Sequence, residues 1–351
     1  MSRLSFEIHH EIDPVSDEWD ELADRLQAPP FLRPGWFAAW YRAFGIGRLE
    51  LVVARHGRRL VALAPLERRR LVLRSLTNWH SPVWAPLAEN ADALRALTRA
   101  MVERARPWLS LGFVDAGTDG LEACREATAH CRTRVYSLER SPYVTLTGTW
   151  SDYESRLTGK RRSNLRRLWR RLEERGNVEL DVSDGRRDLT ALLDEGFGVE
   201  ASGWKGERGT AIASTPETRR FYEDVGAWAV SRGSLRLAFL RVDGRAIAFD
   251  FAIEEAGAHA LLKTGYDSSW RSFAPGVLLR QGMIERAFGE NLETYEFLGD
   301  AVEWKGEWTE TIRERVALEA FRPTPAGTVG WLAWAYGRPA FRRLIGAVGR
   351  G

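Results

Sequence analysis

The segment from Leu51 to Leu63 (LVVARHGRRLVAL) returns in form from Leu237 to Phe249 (LAFLRVDGRAIAF). In each, an apolar run enters a Gly-Arg turn and a second apolar run leaves it, the pattern of a tight β-hairpin. Each also follows a helical pattern rich in aromatic residues. Hairpins resemble one another by chance, but recurrence of the whole helix and hairpin unit points to a duplicated domain. A chain of 351 residues has the length for two ordinary domains. We therefore expect an N-terminal domain over 1–148, a second over 149–325 and a basic, amphipathic tail over 326–351.

Between the repeats, periodicity alternates between helix and strand, the mark of a mixed α/β protein. Helices are expected at Pro34 to Phe44, Ala91 to Ala105, Leu121 to Cys131, Asp188 to Ser202, Pro216 to Ser231 and Val277 to Phe288. Strands are expected at Leu71 to Leu76, Trp108 to Val114, Leu235 to Val242, Ala246 to Glu254, Ala258 to Lys263 and Thr294 to Phe297. Ser151 and Glu154 have capping-box spacing. A helical stretch begins there, breaks at Thr158 and Gly159, and runs on to Gly176.

That stretch is strongly basic. Nine Lys and Arg residues lie between Arg156 and Arg175, while Leu165, Leu168, Trp169 and Leu172 form an apolar stripe. One face packs and the other is positive. Such a face suits tRNA phosphates, an anionic sugar nucleotide, a cofactor phosphate, or water alone.

Hydrophobic residues make up 44% of the chain and charged residues 28%, which supports a folded core rather than disorder. No run approaches the ~20 apolar residues of a membrane span, and the N-terminus lacks a secretory pattern. A cytoplasmic protein is expected. Cys124 and Cys131 stand seven residues apart in a helical pattern, ~10 Å of rise, beyond the ~7 Å reach of a disulfide, and read as packing residues. The six histidines form no ligand spacing, so no metal is expected.

Of 51 Lys and Arg residues, only Lys160, Lys205, Lys263 and Lys305 are lysine. A lysine kept in an arginine-rich chain suits a compact charge site. The word Trp-Lys-Gly-Glu occurs twice, at Trp204 to Glu207 and at Trp304 to Glu307. Core-capping tryptophans with snorkelling lysines would produce the same words. Between them, a strand ending at Lys263 leads through Tyr266, Asp267 and Arg271 to Ala274, Pro275 and Gly276 at a helix start. There, free N–H groups and the helix dipole favour an anion.

These words together resemble the GNAT acyltransferase superfamily, in its CelD-like branch of bacterial cellulose and polysaccharide synthesis. The matching segments are Pro30 to Trp36, Asn78 to Pro82, Leu157 to Arg161, Glu200 to Gly206, Lys263 to Asp267, Ala274 to Gly276 and Asp300 to Lys305. The resemblance spans Pro30 to about Phe321. It implies two tandem GNAT-like domains, each a mixed sheet flanked by helices, and acetyl-CoA or another acyl-CoA as co-substrate, with no metal. The donor loop would use Arg271, Ala274, Gly276 and Val277, with Ala274 in place of a glycine and Pro275 lacking an N–H.

Glu200 or Asp267 would be the base, Tyr266 the acid, and Lys305 a catalytic charge facing the same cleft as Lys205. Trp204, Lys205, Lys263 and Asp300 would bind a small acceptor such as an anionic sugar. Related Fem-type proteins use aminoacyl-tRNA, so tRNA is an alternative partner. A non-catalytic partner of a polysaccharide synthase complex is another, and the C-terminal tail suits peripheral membrane contact.

Overall fold

The computed structural model describes residues 4–202 and 212–337. Among these, the chain runs through β1 (Ser5–His9), α1 (Ser16–Arg25), α2 (Pro34–Phe44), β2 (Arg48–His56), β3 (Arg59–Arg69), β4 (Val72–Ser75), β5 (Leu87–Ala88), α3 (Ala91–Arg104), β6 (Trp108–Asp115), α4 (Asp119–Ala127) and β7 (Arg132–Thr145). It continues through α5 (Trp150–Arg156), α6 (Gly159–Glu173), β8 (Val178–Ser183), α7 (Leu189–Ala201), α8 (Pro216–Arg232), β9 (Leu235–Val242), β10 (Arg245–Glu255) and β11 (Ala258–Tyr266). The last elements are α9 (Pro275–Gly289), β12 (Thr294–Glu296), α10 (Glu303–Gly306), β13 (Ile312–Phe321) and α11 (Pro325–Leu332).

The described residues form two compact units. The first takes 4–41, 45–139 and 314–337; the second takes 42–44, 140–202 and 212–313. The division is thus not sequential as expected from 1–148 and 149–325, because the chain's last strand belongs to the first unit.

In the first unit the strands lie in the order β1-β2-β3-β4-β6-β13, with β5 on β3. Every neighbouring pair is antiparallel except β4 with β6. In the second unit the order β8-β9-β10-β11-β12-β7 repeats those directions, with β11 and β12 the parallel pair. The helices repeat as well: two between the first and second strands of each sheet, and one in the parallel crossover, α3 or α9. The duplication read from the hairpins therefore extends to the whole topology. In each unit only the sixth strand comes from outside the contiguous repeat.

The second unit's core joins Leu165, Leu168 and Leu172 of α6 to Leu278, Met283 and Ile284 of α9 and to Leu240, Ile247 and Leu261 of the sheet. The apolar stripe of α6 is buried as expected, and Arg166, Arg167 and Arg170 are exposed. Two local expectations differ. The capping box belongs to Thr149 and Asp152, each accepting the other's backbone N–H at 3.2 and 3.0 Å, so α5 starts before Ser151. Cys131 lies beyond α4, which ends at Ala127; both cysteines are free.

Candidate active site

β11 and β12 pair at three positions, Ala258 with Thr294, His259 with Tyr295 and Ala260 with Glu296. There β12 ends, and the next residue, Phe297, donates its N–H to Pro142 O at 3.1 Å. β11 runs on to Tyr266 against β10, so the two parallel strands part after Ala260. One buried side chain sits at the parting. Arg280 of α9 donates to both carboxylate oxygens of Asp250 on β10 at 2.6 and 2.8 Å, to Thr264 Oγ1 on β11 at 3.2 Å, and to the Tyr295 hydroxyl on β12. A single guanidinium thus joins three strands where two of them separate.

At the far end of β11 the chain enters α9 through Ala274, whose φ of 50° is in the left-handed region that favours glycine. Pro275 at the first helical position has no N–H. The N–H groups of Val277 and Leu278 turn back to Ala274 O at 2.9 and 3.3 Å. Among the described residues, the Gly276 N–H takes no acceptor from the chain. The anion cradle expected at this turn is therefore narrower than the sequence suggested, and the Val277 N–H is already committed. A Cβ on Gly276 would stand 3.4 Å from the Tyr266 ring, which places this turn beside the end of β11.

Positive charge surrounds the loop. Arg271 is exposed on it. Arg171 of α6 and Arg175, two residues beyond its end, lie over the Phe273 ring at 5.2 and 5.1 Å. The sequence counted these two in a basic face, but only the packing of α6 beside α9 brings them here. The counterpart in the first unit is closed by its own chain. Asn90 Oδ1 accepts the Ala93 N–H at 2.9 Å and caps α3. The Gly112 N–H on β6 goes to Ser75 Oγ at 2.9 Å, and Phe113 O accepts from Trp84 N at 2.9 Å. An uncapped crossover helix occurs in the second unit alone of the two.

Glu200 comes beside β11 through a glycine. A Cβ on Gly265 would stand 2.5 Å from Glu200 Cα, so only glycine permits α7 to pack this closely. The Glu200 carboxylate is buried and accepts the Ile212 N–H at 2.8 Å. Burial, and then the nearby Glu200 charge, push the Tyr222 hydroxyl well above its ordinary value.

Asp267 is placed differently from a general base. It accepts from Ser269 N at 2.9 Å, Ser269 Oγ at 2.7 Å and Arg245 at 2.6 Å, capping the turn after β11. Burial raises its carboxyl, but the Ser269 and Arg245 bonds outweigh that and leave it below the usual carboxylate range. A weakly basic, fully bonded carboxylate suits a turn residue.

Lys263 lies over the Tyr222 ring at 5.4 Å. Lys305 is buried, and its ammonium donates to Leu298 O and, at 2.8 Å, to Asp300 O. It therefore clamps the turn that follows β12, and the expectation of an ammonium offered to an acceptor gives way to one held by backbone carbonyls. Asp300 Oδ1 accepts the Arg140 N–H at 3.0 Å. Trp204 and Lys205 lie outside the described residues. The structure thus sets Glu200 against Gly265 and Gly276 beside Tyr266 at the end of β11, Arg171 and Arg175 over Phe273 in the loop that follows, and Lys305 on the turn beyond β12.

Residues 159–306 match the family profile described as an acetyltransferase (GNAT) domain. No curated protein matches the chain. Among solved structures, the chain is similar to FemX at a TM-score of 0.61 and 13% identity, over 92% of this chain and 99% of that one. It is similar to a tandem GNAT protein from the clavulanic acid biosynthesis pathway at 0.50 and 13%, over 92% and 100%. A conserved protein of unknown function from Bacteroides thetaiotaomicron VPI-5482 gives 0.55 and 12%, over 91% and 100%. At such identities the likeness speaks of fold. Residues 159–306 accordingly match an acetyltransferase (GNAT) domain profile and take a GNAT-like fold, in a chain whose structural neighbours include tandem GNAT proteins.

Proposed function

We propose that the second unit transfers an acyl group, acetyl in the simplest case, from acyl-CoA to an amine or hydroxyl of a small acceptor, in the polysaccharide or envelope metabolism its sequence resembles. The observation that carries this reading is the parting of β11 and β12 beside an uncapped α9, where the matching place in the first unit is filled. An extended amide-bearing arm suits a gap between parallel strands, where it can add to a strand edge. A pyrophosphate suits the Gly276 N–H, helped by Arg171, Arg175 and Arg271.

Acyl-CoA would supply the thioester. Glu200 would accept the proton of the attacking amine or hydroxyl as the new bond to the carbonyl carbon forms. The carbon–sulfur bond then breaks, and Tyr266 Oη would return a proton to the departing thiolate. Holding acceptor and thioester together supplies most of the acceleration. Lys305 would act only by fixing the turn beyond β12.

Calorimetric titration of the full chain with acetyl-CoA and longer acyl-CoAs tests the reading, and heat of binding with none of them would remove it. The exposed Arg166, Arg167 and Arg170 favour a second reading, aminoacyl transfer from tRNA. Titration with aminoacyl-tRNA separates the two, and binding of neither donor would favour a non-catalytic partner of a synthase complex.

A further inference from the structure

The second unit contains a groove of about 1030 Å³ that the acyl-transfer reading does not use. It lies between the start of α6, the end of β7 and the segment that follows α10, and its lining includes no residue of β11, β12 or α9. The C-terminal end of α6 reaches the donor loop through Arg171 and Arg175. The groove opens toward the other end, where Arg161 in its wall stands ten residues before Arg171, about 15 Å of helical rise.

Arg156, Lys160, Arg161 and Arg167 line it, against Glu307 and Glu310. Arg156, Lys160 and Arg167 are exposed, whereas the Arg161 side chain is only 13% exposed. Arg161 lies over the Trp308 ring at 4.6 Å and pairs with Glu307 at 2.5 Å, so the guanidinium is held flat in the wall. That pairing engages one nitrogen. Its Nε and Nη2 are buried and have no acceptor among the described residues. A buried donor without an acceptor costs about 1–3 kcal/mol, a cost that a phosphate oxygen reaching Arg161 would relieve. Arginine presents its donors as a fixed fork that matches phosphate oxygens, and Lys160 and Arg156 add compact charge at the mouth.

We propose that this groove binds the phosphate or diphosphate group of a small molecule, gripped by Arg161 with Lys160 and Arg156. The site stands apart from the acyl-transfer reading and does not depend on it. Its volume suits a small ligand beyond the phosphate itself.

The test is calorimetric titration of the full chain with inorganic pyrophosphate and with orthophosphate at low ionic strength. Pyrophosphate should bind, and the double variant Lys160→Gln with Arg156→Gln, both exposed and outside the core, should weaken it at least tenfold while the melting temperature holds. Arg161→Gln should abolish the heat. Arg171→Gln with Arg175→Gln, which the acyl-transfer reading places beside the CoA pyrophosphate, should weaken binding far less than the Lys160 and Arg156 variant does. Tighter binding of pyrophosphate than orthophosphate assigns a diphosphate ligand; equal binding assigns a monophosphate. No binding of either ion to the unaltered chain would overturn the proposal. So would equal loss in the Arg171 and Arg175 variant, which would move the anion to the donor loop.

Discussion

Arg280 and Asp250 form a two-pronged ion pair at 2.6 and 2.8 Å with both side chains wholly inside the second unit. Charges this deep lose much of their hydration, and the Coulomb gain rarely exceeds that loss. Breaking one partner leaves the other uncompensated. Arg280→Met should therefore cost about 3–5 kcal/mol in urea unfolding. Arg280→Met with Asp250→Leu should recover most of it. If the double variant were as unstable as the sum of the two singles, the pair would not be the unit we describe. Because Arg280 also holds Thr264 and Tyr295, the recovered double variant should still bind acyl-CoA more weakly.

Gly276→Asp should remove acyl-CoA binding without unfolding the chain. A carboxylate would then stand beside the N–H expected to meet the pyrophosphate, reversing the local field. Titration with acetyl-CoA reads the effect, and unchanged affinity would move the donor site away from α9.

Lys305→Met should lower stability by about 1–3 kcal/mol, chiefly for the buried Leu298 carbonyl left unpaired. Lys305→Arg should not restore it, since a planar guanidinium does not fit the compact turn that an ammonium fills. Thermal melts of the three proteins decide this. Full stability in Lys305→Met with lost turnover would return the lysine to the chemistry.

His259 and Glu254 give the second unit an acid limb. Burial lowers the His259 imidazole below its ordinary 6.5, against the pull of Glu254. Burial raises Glu254, but hydrogen bonds from His259 and Arg286 hold it at about 2. Both folded values lie below the unfolded ones, so the unfolded chain binds more protons in acid. The stability is present above pH 6.5 for His259 and above 4.5 for Glu254, and is lost as the pH falls from those values through the lower folded ones, about 2 for Glu254. Wild-type melting temperature should drop between pH 7 and 5.5, and His259→Phe should flatten that slope while keeping the ring stacked on Tyr295. Parallel curves for the two proteins would assign the limb to other groups.

Amphipathic helices and paired hairpins were legible in the sequence because their patterns lie within a dozen residues, as in α6 and in β9 and β10. The turn at Ala274 to Gly276 that opens α9 was legible for the same reason. β1 and β8 were less legible, since SFEIH and VELDVS alternate apolar and polar residues over only 5 and 6 positions. Local spacing chose Ser151 and Glu154 for the capping box, while the start of α5 at Trp150 selected Thr149 and Asp152.

Tertiary structure alone decided the rest, because it depends on groups distant along the chain. β7 and β13 complete sheets outside their own repeats. Gly265 admits Glu200 to β11, Arg171 and Arg175 reach the donor loop only through the packing of α6 on α9, and the Lys305 ammonium meets two carbonyls that no spacing announces. Sequence determined which segments bury a face; the contacts between those faces determined which charges meet solvent, which meet one another, and where two strands part.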